Sequence, residues 1–233
     1  MREVGTVLVT GGCSGLGAAA VQAVAASGGR PLVLDRVPPP PGIAEVTAGF
    51  AVVDLADTRA AEAAVQSVAD RSGGLDAVFT AAGTDRCGML ADVPGDEWDR
   101  VVQVNLLGTA AVVRAALPYL RRSHGRVVTC ASTLGLRAVS DATAYCASKF
   151  GVVGFSRALA AEAAGEVGVT MLVPGGMHTA FFDDREEQYK PPPDARLNQP
   201  EDVAQAVLFA LRQPPGCELR ELVIAPSRES SWP

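Results

Sequence analysis

The chain has 233 residues, 48% of them hydrophobic and 20% charged, enough apolar content for one domain with a sizeable core and too much for disorder. A formal net charge of -6 argues against a nucleic-acid partner, which calls for a basic patch. Five scattered cysteines (Cys13, Cys87, Cys130, Cys146, Cys217), odd in number and without C-x-x-C, predict reduced thiols in a cytoplasmic protein, not a disulfide framework or a metal site.

The first strand candidate, Thr6–Thr10, begins almost at once and leaves no room for a leader. Helix is expected over Ser14–Ser27, stopped by Gly28-Gly29, then strand over Pro31–Asp35. Pro38–Pro41 reads as a stiff surface connection, too short to separate domains. Strand Gly49–Asp54 and helix Thr58–Arg71, with Asp57 as cap, lead to strand Leu75–Ala81 and the long helix Asp96–Leu120. Strand Arg126–Ala131, helix Ala142–Ala164, strand Gly168–Val173, helix Glu201–Leu211 and strand Leu219–Ala225 complete the series. Short, continuous Val/Leu/Ile strands alternating with helices predict a doubly wound α/β domain, a seven-stranded parallel sheet buried on both faces, over residues 1–233. No run approaches the ~18 apolar residues of a membrane span, since Arg114 breaks Ala110–Leu117, so no membrane partner is expected. Thr179–Pro200 form the longest loop candidate, and residues 180–198 within it are read as a substrate lid.

Chemistry gathers at the ends of the strands. Thr10-Gly-Gly-Cys-Ser-Gly-Leu-Gly17 lies between first strand and first helix, where glycine lets the backbone approach a pyrophosphate and the helix start offers unpaired N–H groups. Asp35 ends the second strand, placed to accept from ribose hydroxyls and to repel a 2′-phosphate; Arg36 beside it is the opposing sign. Tyr145 and Lys149 are i and i+4 on one helix face, so the ammonium, together with the positive charge of oxidised nicotinamide, is expected to lower the phenol's pKa from ~10 and make it a proton-transfer group.

These residues resemble the short-chain dehydrogenase/reductase family over roughly residues 4 to 226, on the 3-oxoacyl-reductase-like or 3-hydroxyacyl-dehydrogenase-like side. T-G-x-x-x-G-x-G is that family's cofactor motif, and Ser132, thirteen residues before Tyr145, keeps its spacing. The resemblance implies a catalytic set of Asn105, Ser132, Tyr145 and Lys149, with Ser132 bonding the substrate oxygen and Asn105 holding a water that relays protons to Lys149. It implies a nicotinamide cofactor held by Gly11, Cys13, Ser14, Gly15, Leu16 and Gly17, by Asp35 and Arg36, and by the adenine-binding pair Asp54-Leu55. Ala81, Ala82 and Gly83 stand in T-A-A-G where the family usually shows N-N-A-G, which implies a lost side-chain hydrogen bond. Pro174, Gly175, Met177 and Thr179 match the P-G-x-x-x-T nicotinamide loop, and Asn105, Tyr145 and Lys149 also count among the cofactor contacts.

The expected activity is hydride transfer between NAD(H), preferred over NADP(H), and a small alcohol or ketone. A 3-oxoacyl thioester reductase and a non-catalytic NAD-binding regulator remain alternatives. The expected pocket is mainly apolar, walled by Asp85–Asp92 (Met89, Leu90), Thr133–Thr143 (Leu134, Leu136, Val139, with Arg137) and the lid (Phe181, Phe182, Tyr189). A homodimer or homotetramer through the two long helices is expected. Small residues from Ala158 to Ala164 would permit close approach, and the tail Ser227–Pro233, with Trp232, would dock on a neighbour.

Overall fold

The computed structural model describes residues 3–228. In chain order its elements are β1 (Thr6–Thr10), α1 (Gly15–Ala26), β2 (Arg30–Asp35), α2 (Pro41–Ala44), β3 (Gly49–Val52), α3 (Thr58–Ser72), β4 (Ala77–Thr80) and α4 (Gly95–Val102). There follow α5 (Thr109–Ser123), β5 (Arg126–Cys130), α6 (Thr143–Glu162), β6 (Gly168–Pro174), α7 (Pro200–Leu211) and β7 (Glu221–Ile224). The strands form one seven-stranded, all-parallel sheet in the order β3-β2-β1-β4-β5-β6-β7.

Alternation along each strand divides the core in two. Val7, Val9, Val33 and Phe79 pack with α1 and α7 on one face; Leu8, Leu32, Leu34 and Val78 pack with α3, α5 and α6 on the other. Both sides of β1 are therefore apolar, which is why its sequence is an unbroken apolar run. The strand order reverses between β1 and β4. A crevice opens there beyond their carboxyl ends, and this is where open α/β sheets place ligands.

Three features depart from expectation. The Pro-rich connection carries the turn α2, because Pro41 at the first helical position presets φ and Ile43 finds a buried site. The long helix runs unbroken over Gly95–Ser123 through a π-helical turn, Gln103–Gly108. By length and composition it could cross a membrane, but 56% of its most apolar window is buried inside the fold, as in a core helix. Finally, Ala163 is packed into the core, so the Ala158–Ala164 run is not one exposed face. Trp232 lies outside the described residues.

Candidate active site

The chain leaves β1 through Gly11, whose φ of +65° disfavours a side chain and where an added Cβ would lie only 2.8 Å from Ala82 Cα. It enters α1 at Ser14, which holds the N-cap position but makes no side-chain cap bond. The first-turn N–H groups are thus left for a ligand, whereas α3 uses up its own on Asp57, which accepts from Arg59 and Ala60. Asp35, at the end of β2, accepts the Cys13 N–H at 2.9 Å and the Val37 N–H at 3.4 Å, fixing the glycine loop to the sheet. Burial and the Asp35 charge push the Cys13 thiol up to about 12.

A cavity of ≈ 850 Å³ is lined both by this loop and by residues of the segment 180–198. Gly11, Ser14, Gly15, Leu16, Gly17, Arg36, Ala81, Ala82, Gly83, Pro174, Gly175, Met177 and Thr179 line it, with Ser132, Tyr145 and Lys149 further in. Cys13, Asp35, Asp54, Leu55 and Asn105 are not on its walls. Asp54 is turned to Arg100 at 2.8 Å and to the Ala56 N–H at 3.0 Å, since a half-exposed carboxylate takes the nearest guanidinium and amide. The Ala56 hydrogen bond, opposed by burial and helped by Arg100, holds its pKa below the usual value. Leu55 is buried against Gly108. Within T-A-A-G, Thr80 Oγ1 is buried without a hydrogen-bond partner, which agrees with the lost bond expected there. Thr10 Oγ1 accepts the Ala82 N–H at 3.1 Å and ties the segment back to β1.

Tyr145 and Lys149 share one face of α6, opposite the end of β5. Lys149 is buried and its Nζ donates to the Cys130 carbonyl at 2.8 Å; the ammonium stands 5.6 Å from the Tyr145 ring centre. Ser132 is buried, caps the turn Thr133–Gly135 by accepting the Leu134 N–H at 3.1 Å, and hydrogen-bonds Tyr145. Asn105 sits in the π-helical turn with its amide fully engaged: Oδ1 accepts from Thr84 N–H at 2.8 Å, and Nδ2 donates to Thr84 O at 2.9 Å and Ser148 Oγ at 3.0 Å. Its side chain thus holds the strand-end loop to α6, and a π turn at such a place is typical of functional sites.

Burial lifts the Tyr145 phenol well above its ordinary value, with the Cys130 thiol adding to the rise and the Ser132 hydrogen bond pulling against it. Burial also lowers the pKa of Lys149, whose ammonium donates to the Cys130 carbonyl.

The segment expected as a lid, residues 180–198, packs against Tyr145 here. Its stem is tied by the bridge Met177–Asn198, by His178 N–H to Asn198 O at 2.9 Å and by Asn198 N–H to Gly176 O at 3.0 Å. Inside, Phe181 lies 5.7 Å from the Tyr145 ring, tilted by 58°, and Phe182 packs edge-on against Phe181. The expected pocket wall is corrected in part. Leu134, Phe181, Phe182 and Tyr189 line the cavity, but Met89, Leu90 and Val139 are exposed and Leu136 and Arg137 are off its walls. The cause is pairing between the two loops, Gly88 N–H to Asp141 O at 2.8 Å, which turns Met89 and Leu90 outward. Four site residues were not singled out individually by the sequence: the Cys130 carbonyl, Ser148, Asp85 and Arg185. Ser148 adjoins Lys149, and Asp85 and Arg185 fall within segments expected to wall the pocket, whereas the Cys130 carbonyl had no signal.

Residues 5–190 match the model of the family described as short chain dehydrogenase. The glycine betaine reductase of Emericella nidulans is 33% identical over 236 residues, covering 95% of this chain and 19% of the reductase. An uncharacterized oxidoreductase of Staphylococcus aureus is 36% identical over 156 residues, 66% of this chain and 65% of that protein. A (2S)-[(R)-hydroxy(phenyl)methyl]succinyl-CoA dehydrogenase subunit of Thauera aromatica is 34% identical over 167 residues, 68% of this chain and 66% of that one. The chain therefore spans about a fifth of the reductase and just under two thirds of the staphylococcal protein. Among solved structures, the alcohol dehydrogenase of the archaeon Thermococcus sibiricus, complexed with 5-hydroxy-NADP, superposes with a TM-score of 0.84 at 23% identity over 94% of this chain and 95% of that chain. The ligand-free aldohexose dehydrogenase of Thermoplasma acidophilum gives 0.84 at 22% over 94% and 92%. At such identity the likeness is one of fold.

Proposed function

The chain belongs to the short-chain dehydrogenase family of oxidoreductases, and on that premise we propose that it transfers a hydride between NAD(H) and a free, moderately apolar secondary alcohol or ketone. The observation that carries this reading is that Ser132, Tyr145 and Lys149 line the same cavity as the glycine loop.

The cavity fits a dinucleotide. The side-chain-free approach of Gly11 to Ala82 and the uncapped start of α1 leave room and N–H donors for a pyrophosphate. Pro174, Gly175, Met177 and Thr179 would hold the nicotinamide end, and Lys149 the ribose next to it. When bound, the cofactor supplies or accepts the hydride. Ser132 and Tyr145, joined by a hydrogen bond, aim two hydroxyls at one substrate oxygen. A phenol held above its ordinary pKa stays protonated near neutrality, so Tyr145 is ready to donate to a ketone oxygen. In the oxidative direction it must lose that proton first, helped by Lys149. Asn105 serves by fixing Thr84 and Ser148 on either side of the pair.

NAD(H) is favoured over NADP(H) because Asp35 stands at the end of β2 and Cys13 brings no positive charge to the glycine loop. The thioester reading keeps a specific support, the Thauera relative whose name is that of a CoA-ester dehydrogenase subunit. A homodimer or homotetramer is favoured by Leu107 and Phe150, both exposed on the long helices. The test is a panel of alcohols, ketones and 3-oxoacyl thioesters followed by nicotinamide absorbance with both cofactors. Higher kcat/KM with NAD(H), and a gap that narrows in Asp35→Ser, is the expected result; a preference for NADP(H) refutes the assignment. Turnover of thioesters alone would replace the free-ketone reading.

A further inference from the structure

Arg185 is the only lid side chain that reaches across to the sheet-end loops with a full charge pair among the described residues. Its Nη2 meets Asp85 Oδ2 at 2.5 Å, and its Nη1 donates to Tyr189 O at 3.2 Å within the lid. Its guanidinium lies over both lid phenylalanines, 4.6 Å from the centre of Phe182 and 5.3 Å from that of Phe181. Asp85 follows β4 and its side chain is only 4% exposed, against 18% for Arg185. The carboxylate is filled from its own loop as well, by the Arg86 N–H at 2.7 Å and the Cys87 thiol at 3.3 Å. A continuous set of contacts thus runs from Tyr145 through Phe181 and Arg185 to Asp85.

We infer that Arg185 and Asp85 form the latch that closes the substrate lid, and that Arg185 is a positioning residue which seats Phe181 against Tyr145 only when that latch is made. The inference rests on the reading of Tyr145 as the proton-transfer group. The pair is shielded from water, so opening the lid must separate two charges and leave Asp85 in a site with no other cation bonded to it among the described residues. The closed lid therefore has one strong, breakable tie at its tip, in addition to the hydrogen-bonded stem at Met177 and Asn198. The tie also acts on the chemistry. Tyr145 is faced by Lys149 from its own helix, by Cys130 and Ser132 from the end of β5, by Asp85 from the loop after β4 and by Arg185 from the lid. Of the latch partners, Asp85 raises the phenol's pKa and Arg185 lowers it, so removing one charge alone moves the phenol in the direction opposite to removing the other.

The test uses Arg185→Met, Asp85→Asn and the double variant in the full chain. Amide exchange of residues 180–198 is measured without ligand; breaking the buried pair should speed it by about tenfold or more in each single variant, with the double variant closer to wild type because no bare charge remains. The pH–rate profile for alcohol oxidation should then move upward in Arg185→Met, where Asp85 stands uncompensated, and downward in Asp85→Asn. Loss of packing alone would not shift the two profiles in opposite directions. Unchanged exchange in the single variants, or profiles that stay put or move together, overturns the latch. If the wild type turns over no alcohol or ketone, the functional reading has failed, and the exchange rates still decide whether the latch exists.

Discussion

Gly17→Ala should weaken both the fold and cofactor binding, although alanine is ordinarily the better helix residue by roughly 0.5–1 kcal/mol. A Cβ at position 17 would lie 2.1 Å from the Gly11 carbonyl oxygen, 2.6 Å from its carbon and 3.1 Å from the Gly12 nitrogen. Ordinary contact starts near 3.4 Å, so α1 and the glycine loop must move apart by about 1 Å, and the atoms in the way are backbone that cannot rotate aside. Overpacking of this kind typically costs ~1–3 kcal/mol. With the helix-propensity gain set against it, the net loss is about 1–2 kcal/mol, or roughly 2–8 °C in Tm for a chain of this size. The same shift moves the N–H groups at the start of α1 away from Gly11, so NADH should bind at least about tenfold more weakly. Gly154→Ala is the control: Gly154 lies in α6 with nothing within 4 Å of an added Cβ, and the substitution should raise stability slightly. Thermal melts and nicotinamide fluorescence titrations read both effects. If Gly17→Ala were as stable as wild type and bound NADH equally well, the close helix–loop contact would not be what this glycine is for.

Arg126→Met should cost about 2–3 kcal/mol, or roughly 5–10 °C in Tm, because the buried guanidinium donates to Gln213 O, Pro214 O and Cys217 O and pins the turn after α7; a melt within about 1 °C of wild type would contradict this. At about pH 7.5 iodoacetamide should label Cys217, which is exposed, well before Cys13 and Cys87, whose thiols are pushed up to about 12 and hold almost no thiolate; equal rates by mass spectrometry would show that the Asp35 and Asp85 contacts do not act on them. Light scattering at micromolar concentration should give a dimer or tetramer mass, and Phe150→Glu should lower it; a monomeric wild type ends that proposal.

The fold was readable wherever composition and burial coincide. The strands of a doubly covered sheet must be apolar on both faces, so β1 and the Leu32–Leu34 stretch of β2 stand out as apolar runs, while Gly28-Gly29 marks the stop of the first helix. The π-helical turn was not readable, because widening a helix by one residue leaves no periodic mark in Gln103–Gly108. Nor was the outward turn of Met89 and Leu90, which is set by a hydrogen bond to Asp141, far along the chain. Motif spacing brought Ser132, Tyr145 and Lys149 to one place, yet it said nothing of burial, and burial sets the sign of the Tyr145 shift. Asp85 and Arg185 are 100 residues apart, each an ordinary charge in its own loop. Only the folded chain shows that they meet.

Turnover in Tyr145→Phe tests the central claim most directly. The substitution removes one hydroxyl and keeps the ring that packs on Phe181, so NADH affinity and Tm should stay near wild type while kcat falls by at least ~10²–10⁴-fold, the usual worth of general acid–base catalysis. Wild-type kcat in that variant, with cofactor bound normally, would show that Tyr145 does not move the proton and that the proposed chemistry lies elsewhere.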